Sequence, residues 1–230
     1  MKKPVTLFTT LALLAIAASA FAANSVRISQ VYGGGGSATA GPTYNVDYVE
    51  LFNSSPSPVN IGGWTIEYGS ATGNWGSSGS NIFTFAANTF IQPCKYLLVA
   101  SATPSTGGGA LPVPPDFTFP LAASATNGKF GLFTAVNTNL ACGSELAGTL
   151  VDKISYGTGN CPEVTATAAL STTTGAVRNN GGLTDTDNNA SNFTVTTNPV
   201  PHNANSSANP NCSTVANRVG TWGAIKTIYR

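Results

Sequence analysis

The chain has 230 residues, of which 42% are hydrophobic and only 8% are charged, and its formal net charge at pH 7 is +1. The hydrophobic fraction excludes an intrinsically disordered protein, and the near-zero net charge excludes a strong electrostatic attraction to nucleic acid or anionic lipid. Solubility must therefore rest on uncharged Ser, Thr, Asn and Gly, a composition common in exported β-proteins.

The first 22 residues have the three parts of a secretory signal peptide. Lys2 and Lys3 precede an apolar run, and Ala20-Phe21-Ala22 fits the small-x-small rule for cleavage. The run is too short to cross a bilayer, and no later segment approaches the required ~20 apolar residues. An uncleaved N-terminal anchor is the alternative. We expect residues 1–22 to be removed and the mature chain to be secreted without a transmembrane segment, to the extracellular space, the cell surface or the periplasm.

Short stretches with the period-2 pattern of β-strands follow along the rest of the chain. In the central stretch, Asp47–Asn53, Val49 and Leu51 alternate with aromatic and acidic residues. We predict further strands at 25–32, 61–66, 82–85, 90–91, 95–100, 128–133, 150–157 and from 193 onward. A helical period is absent over any useful length, apart from an isolated helical turn near 171–177. The pattern predicts an all-β fold, an immunoglobulin-like β-sandwich.

Long Gly/Ser/Pro loops separate these stretches. Gly33–Gly36 is interpreted as a flexible hairpin link, because a phosphate-binding loop needs GxxxxGK[ST] followed by a helix. Trp75, in the Gly/Ser loop 70–80, looks exposed and is a candidate ligand contact; the favoured alternative is a lid in which the Trp side chain folds back on its own sandwich. Loop 101–115 has polyproline character. Loops on a rigid scaffold are where binding usually occurs.

The mature chain keeps four cysteines, an even number that favours disulfides in an exported protein. Three pairings are open. The spacing favours Cys142 with Cys161, which leaves Cys94 for Cys212 and would fix the C-terminal tail to the body. A zinc site is the alternative, but the sequence has no CxxC pair to supply it.

Asp185, Asp187 and Asn189 have the x, x+2, x+4 spacing of a calcium-binding loop, in which oxygen ligands converge on one cation. Ala190 replaces the turn glycine and Thr196 the bidentate Glu, so an EF-hand is excluded and an irregular calcium site is the remaining metal hypothesis. The alternative is that these side chains cap their own turn. No other cofactor is expected.

The sequence offers no evident catalytic set. The single histidine, His202, lies in the predicted tail, far in sequence from an ordered Ser or Asp partner. Glu50 and Asp152 come nearest to a carboxylate pair, but each lies in the middle of a predicted strand. The favoured interpretation is structural: each accepts hydrogen bonds from loop backbone or pairs with Lys153 or Arg178. We therefore predict that the protein is not an enzyme.

The order of DYVELFN, IGGWTIEY, KYLLVA, GKFGLF, VDKISYG and TDTDNNASNF resembles the lamin tail domain family over about residues 25–200. The resemblance implies an immunoglobulin-like sandwich without catalysis of its own. In nuclear lamins such domains bind proteins and DNA, and in bacteria they occur on secreted or surface proteins, often beside a nuclease. Cys94 stands where the family usually has glycine, which supports a family-atypical disulfide there.

Three segments are expected: the signal peptide, a lamin-tail-like domain at 23–200, and an Asn/Ser/Pro linker at 201–230 that ends in a short amphipathic segment, Thr221–Arg230. The predicted function is a non-enzymatic exported binding or adhesion module whose partner is a protein or an envelope or matrix polymer. One alternative is a DNA-associating accessory of an extracellular nuclease, which the scattered cations disfavour. The other is an enzyme of unrecognised type.

Overall fold

The structure is a computed structural model and describes residues 25–37 and 41–213. Within these ranges the chain forms twelve β-strands, a short α-helical turn at Asn189–Asn192 and two 3-10 turns. The strands are β1 (Val26–Tyr32), β2 (Tyr48–Asn53), β3 (Val59–Asn60), β4 (Thr65–Ser70), β5 (Ile82–Thr84), β6 (Phe90–Ile91), β7 (Tyr96–Ser101), β8 (Phe117–Phe119), β9 (Gly128–Phe133), β10 (Leu150–Tyr156), β11 (Thr174–Arg178) and β12 (Phe193–Thr197). The prediction of an all-β fold is confirmed. The helical turn expected near 171–177 is wrong, because β11 occupies most of that segment.

Two larger sheets face each other. The first has six strands in the order β12-β11-β1-β2-β7-β8, and the second has four in the order β10-β9-β4-β5. β3 and β6 form a separate two-stranded sheet. All the named pairs are antiparallel except β7 with β8, which run parallel.

The main core lies between the two larger sheets, and β2 illustrates how the sequence builds it. Val49 and Leu51 point into this core, where they are fully buried. Tyr48, Glu50 and Phe52 point to the opposite face, as the period-2 pattern requires, yet they are equally buried. The outer face of the six-stranded sheet is therefore covered as well.

Two coil segments cover that outer face. The first is the proline-rich loop 102–116, whose Leu111 and Val113 pack against a cluster that includes Tyr48 and Leu98. The second is the segment 199–213, which we call the strap. The sheet thus lies between its partner sheet and a layer of coil, and this second layer buries aromatic side chains that would otherwise meet water.

The strap is held along its whole length. Gln30 Nε2 donates to Val200 O at 2.9 Å, and near the other end the backbone N–H of Asn209 donates to Cys94 O at 2.9 Å. The Cys94–Cys212 disulfide closes it. The prediction of a linker is therefore wrong for residues 201–213, because this polar sequence finds its hydrogen-bond partners on the sheet. The predicted signal peptide and the predicted amphipathic segment Thr221–Arg230 lie outside the described residues.

Both disulfides have the predicted pairing. Cys94 and Cys212 have Cα atoms 5.6 Å apart, and those of Cys142 and Cys161 are 5.5 Å apart. Cys94 has a φ of 57°, in the left-handed region that glycine adopts most readily. A cysteine therefore takes the backbone conformation expected of the family glycine, and its side chain fixes the strap.

Candidate functional site

Trp75 is completely buried, which corrects the interpretation of this residue as an exposed ligand contact. Its ring packs edge-on against Phe133, with the centroids 5.4 Å apart. Its indole N–H donates to Glu145 Oε1 at 2.6 Å, and its backbone pairs with Leu140. The loop tip therefore folds back onto the sandwich, and the hydrogen-bonded indole is not available to a ligand.

Lys129 fixes the same loop, and sequence reasoning missed it. This side chain is completely buried, and its Nζ donates to the carbonyls of Ser70 and Gly73 and to Asn160 Oδ1, the last at 2.6 Å. Burial lowers the pKa of its amine, while Glu145 opposes that change. Three acceptors match the three N–H bonds of an ammonium group, so Lys129 is a structural cation. Its signal in the sequence is a lysine inside an otherwise apolar strand.

Asn189 is completely buried, and its amide is fully used inside the protein. Its Oδ1 accepts from the backbone N–H of Ser155 at 2.9 Å and of Glu163 at 3.2 Å, and its Nδ2 donates to Lys153 O at 2.9 Å. It is therefore not free to bind a cation. Calcium binding by Asp185 and Asp187 stays a prediction, now without Asn189 among the ligands. The one converging group of three His, Cys, Asp or Glu side chains in the described part of the chain consists of the disulfide-bonded Cys142 and Cys161 with Glu145.

Asp185 already has cationic partners. Its Oδ1 lies 3.2 Å from Arg178 Nη1, and its Oδ2 lies 3.6 Å from Arg27 Nε. Arg178 is completely buried and also donates to Asp152 Oδ2 at 2.7 Å. Asp152 Oδ2 in turn accepts from the backbone N–H of Ile28 at 2.6 Å. The network joins β1, β10 and β11 to the loop that carries Asp185, which is a structural use of charge.

Glu163 lies beside this network, at a cavity of about 490 Å³ that Arg27, Asp152, Asp185 and Asp187 also line. Burial, reinforced by the nearby Asp152 carboxylate, raises the pKa of Glu163 to about 8. The carboxyl group of Glu163 is therefore largely protonated at neutral pH.

Glu50 and His202 form a second buried contact that the sequence did not predict. Glu50 is completely buried and accepts from the His202 backbone N–H at 2.5 Å, with His202 Nδ1 3.2 Å from the same oxygen. Ser29 Oγ donates to the other Glu50 oxygen at 2.5 Å, and the imidazole stacks on Tyr96 at 4.5 Å. The serine bonds to the carboxylate and not to the histidine, so this is not the order of groups in a nucleophilic triad. It attaches the strap to β2.

A cavity of about 580 Å³ opens at the end of the sandwich where β1, β4 and β7 end and β2 begins. Its lining includes 35–36, 120–124, Val46, Tyr68 and Ser101, and the lining is mostly apolar. Tyr68 Oη accepts from Ser124 N at 2.9 Å and Ser101 Oγ donates to Leu121 O at 2.9 Å. These bonds fix the loop that forms one wall.

Asp47 lies in the lining of this cavity with 3% of its surface exposed. Its Oδ1 accepts from Gly35 N at 2.7 Å and its Oδ2 from Ala123 N at 2.8 Å. Burial nevertheless raises its pKa to about 6, while backbone hydrogen bonds from Gly35, Gly36 and Ala123 oppose the shift. At Gly35 a Cβ atom would lie 2.0 Å from the carbonyl carbon of Val46, so only glycine fits. The glycine run is thus packed against the sheet, in contrast to the flexible link expected.

A second, largely apolar cavity of about 330 Å³ adjoins the first. Val46 and Ser101 line both, and the proline-rich loop supplies the far wall through Leu111 and Val113. The two cavities therefore form one surface of loops at this end of the sandwich.

Comparison with known families identifies the family of the chain. The family model of the Lamin Tail Domain matches residues 19–158, more than half of the chain. The chain belongs to the lamin tail domain family. The matched part of the lamin tail domain ends just after β10, although β11 and β12 complete the six-stranded sheet. Lamin tail domains are immunoglobulin-like and non-catalytic, which agrees with the absence of a triad at Ser29.

A solved structure has the same general fold. The crystal structure of a DUF4876 family protein from Bacteroides thetaiotaomicron is similar with a TM-score of 0.50 and 10% sequence identity, over 84% of this chain and 75% of that chain. At this identity the similarity concerns the fold alone. No curated protein is similar enough to this lamin tail domain to count as a relative.

Two further observations concern the environment of the domain. Among the described residues, no helix has the length and apolar character needed to cross a bilayer. The two disulfides are of the kind that persists in oxidising compartments.

The described cations are poorly placed for phosphate groups. The ranges 25–37 and 41–213 contain five Lys and Arg residues. Lys129 and Arg178 are completely buried, and Arg27 is paired with Asp185. The described cations therefore give no support to the DNA-associating alternative, because affinity for DNA depends on cations that can reach its backbone.

Proposed function

We propose that this lamin tail domain is a non-enzymatic, exported binding or adhesion module, and that the loops around Asp47 form its binding surface. The observation that carries the proposal is the cavity of about 580 Å³ at the loop end of the sandwich. Ligand sites typically occupy 300–1,000 Å³, are mostly apolar and contain a few polar groups, and binding loops are usually supported by a rigid scaffold. This cavity has those properties.

The rest of the molecule supports a binding role over a catalytic one. Its buried polar groups are used to hold loops: Lys129 fixes the Trp75 loop, and Glu50 fixes the strap. The signal-like residues 1–22 and the two disulfides support export. The partner is then a protein or polymer of the envelope or the extracellular matrix.

A blocked cavity tests the proposal. Gly36 lines the cavity, and a Cβ there would meet no atom within 4 Å. Gly36→Phe therefore adds a large side chain at the cavity without forcing the backbone to move. A Cβ at Gly79 would likewise meet no atom within 4 Å, but Gly79 lies outside the cavity, so Gly79→Phe is the matched control.

The measurement is co-sedimentation of purified, labelled protein with washed envelope and matrix fractions. We expect the wild type and Gly79→Phe to be retained equally, and Gly36→Phe to be retained at least about tenfold less. Most of the binding energy of an interface comes from a few side chains that enter desolvated pockets, so a filled pocket should remove most of it. Equal retention of both variants would exclude the cavity as the binding surface. No retention of the wild type in any fraction would reject the binding role.

A further inference from the structure

Among the described residues, no Lys, Arg or His side chain lies within ion-pair distance of the buried Asp47 carboxylate. Asp152 and Glu50, which are equally buried, lie beside Arg178 and His202 respectively. Glu67 is also buried without a described cationic partner, but it does not line the cavity. Because a buried carboxylate is normally paired, Asp47 gives the cavity a carboxylate that lacks its usual partner.

The lining of the cavity explains what kind of cation would fit. It contains no basic side chain, and its walls include Val46, Pro120, Leu121 and the ring of Tyr68. Such walls suit a chain of methylene groups and offer nothing to an anion. At about 580 Å³ the cavity is far larger than a bare metal ion needs.

The hydrogen bonds of Asp47 restrict the cation further. The backbone N–H groups of Gly35 and Ala123 each donate to one oxygen of the carboxylate, so both oxygens have already used a lone pair. A single donor such as an ammonium group needs only one free position, whereas the planar fork of a guanidinium needs two oxygens side by side.

We propose that the cavity binds an aliphatic primary amine, with the ammonium group against Asp47 and the methylene chain along the apolar walls. The inference rests on the proposed function, because it names the chemical class of the ligand that the same cavity binds. A lysine side chain of a partner protein and a free alkylamine present the same group.

The first experiment compares three probes of equal chain length, n-pentylammonium, 1-pentanol and pentanoate, by NMR titration of the ¹⁵N-labelled protein. We expect shifts of the amide signals of 35–36 and 120–124, and at least about tenfold tighter binding of pentylammonium than of pentanol, since a hydrogen bond between two charged groups is stronger than one from a neutral hydroxyl. Gly36→Phe should abolish the shifts, and Gly79→Phe should keep them. The affinities of Nα-acetyl-lysine methylamide and 1,5-diaminopentane are then compared. Tighter binding of the first indicates a lysine side chain as the ligand, and tighter binding of the second indicates a free amine.

Two measurements address Asp47 itself. Asp47→Asn should remove the preference for the amine while pentanol still binds. Because Asn has a single acceptor oxygen for the two N–H groups of Gly35 and Ala123 and could loosen the loops, the wild type is also titrated at pH 7.5 and 5. The preference should shrink at pH 5, as Asp47 with a pKa of about 6 becomes protonated. Tyr32, Tyr68 and Tyr156 also face Asp47, but their pKa values are raised, so these phenols stay neutral in this range.

The outcomes separate the inference from the proposed function. If pentanol and pentylammonium bind equally and Gly36→Phe blocks both, the cavity is a binding site and the amine preference is wrong. If pentylammonium causes no shifts at 35–36 and 120–124, the inference is overturned, and co-sedimentation alone decides the binding role. A preference that is undiminished both in Asp47→Asn and at pH 5 also overturns it.

Discussion

Buried polar side chains each hold a coil segment in this protein. Glu50 binds the strap, Lys129 binds the Trp75 loop, and Asp47 binds the glycine run to the wall at Ala123. A chain with so few charges thus uses several of them internally. Sequence reasoning expected Glu50 to accept hydrogen bonds from loop backbone, and the His202 N–H confirms it. It missed the roles of Asp47 and Lys129, because the partners of Lys129 are distant in sequence and composition alone suggests that polar loops are exposed.

His202 should stabilise the fold in a pH-dependent way. The hydrogen bond to Glu50 raises the pKa of His202, and burial opposes it. A raised histidine pKa means that its stabilising effect is complete below about pH 6.5 and is lost as pH rises through the folded-state pKa. We expect His202→Ala to lower the Tm by about 2–4 °C at pH 6 and by less at pH 9, the size being limited because the side chain is 40% exposed.

His202→Gln is the control for that measurement, since it keeps a polar side chain without the titration. Its Tm difference from the wild type should shrink from pH 6 to pH 9, as that of His202→Ala does, whereas the Tm difference between the two variants should not change, because neither titrates at this position. A difference for His202→Ala that grows with pH would contradict the assigned ion pair.

Lys129→Met should destabilise the loop that carries Trp75. The substitution leaves the acceptors at Ser70, Gly73 and Asn160 without their donor inside the protein, and one unsatisfied buried group costs about 1–3 kcal/mol. We expect a loss of about 2 kcal/mol in urea unfolding and faster hydrogen exchange at 70–76. Lys153→Met, at a partly exposed lysine, is the matched control, and an equal loss in both variants would refute the anchoring role.

At the scale of elements, strands with strong period-2 patterns were predicted well. β2, β9 and β10 lie in predicted stretches, and β7 extends only one residue beyond its own, because β-branched and aromatic residues alternate there. β4 spans Thr65–Ser70 and shares only residues 65–66 with the strand predicted at 61–66. β8 has only three residues and lies in a proline-rich loop, and β11 is Thr/Gly-rich. Both are held by neighbouring strands and not by their own propensity, so local sequence could not reveal them.

The strap is the element that sequence could least predict. Its Asn/Ser/Pro composition is typical of a linker. It is ordered because it finds acceptors and donors on Gln30, Glu50 and Cys94, which are more than 100 residues away.

Removing the Cys94–Cys212 disulfide should release the strap. The cysteines are 118 residues apart, against 19 for Cys142 and Cys161, and the chain-entropy model gives about 4.7 and 3 kcal/mol for such loops. We expect the double variant Cys94→Ser/Cys212→Ser to lose more stability than Cys142→Ser/Cys161→Ser and to bind the hydrophobic dye ANS, because the aromatic outer face opens. Dye binding confined to the second variant would show that the strap is not what covers this face.

For the whole molecule, a few buried carboxyl groups should set the pH dependence of stability. Burial raises the pKa of Asp47 to about 6 and of Glu163 to about 8. An acid with a raised folded-state pKa contributes stability that is fully present below its unfolded pKa and is lost as pH rises through the folded pKa. The protein should therefore be more stable near pH 5.5 than near pH 8.5.

Glu163→Gln tests this assignment. It keeps the shape and a hydrogen-bond acceptor for Asn189, whose Nδ2 donates to Glu163 Oε2 at 3.0 Å, but it does not titrate. We expect the Tm difference between pH 5.5 and pH 8.5 to shrink by about 3 °C or more relative to the wild type. An unchanged profile would mean that Glu163 titrates normally in the folded protein.

The nesting of the two disulfides constrains how the chain reaches this fold. Synthesis runs from the N-terminus, so Cys94 becomes available first, then Cys142, Cys161 and finally Cys212. Pairing in order of appearance would join Cys94 to Cys142, which is not the native arrangement. Native pairing requires Cys94 to remain a thiol until the chain has been made at least to residue 212, or requires an early bond to be exchanged. A truncated chain that ends with the family match at residue 158 could therefore form only a non-native disulfide.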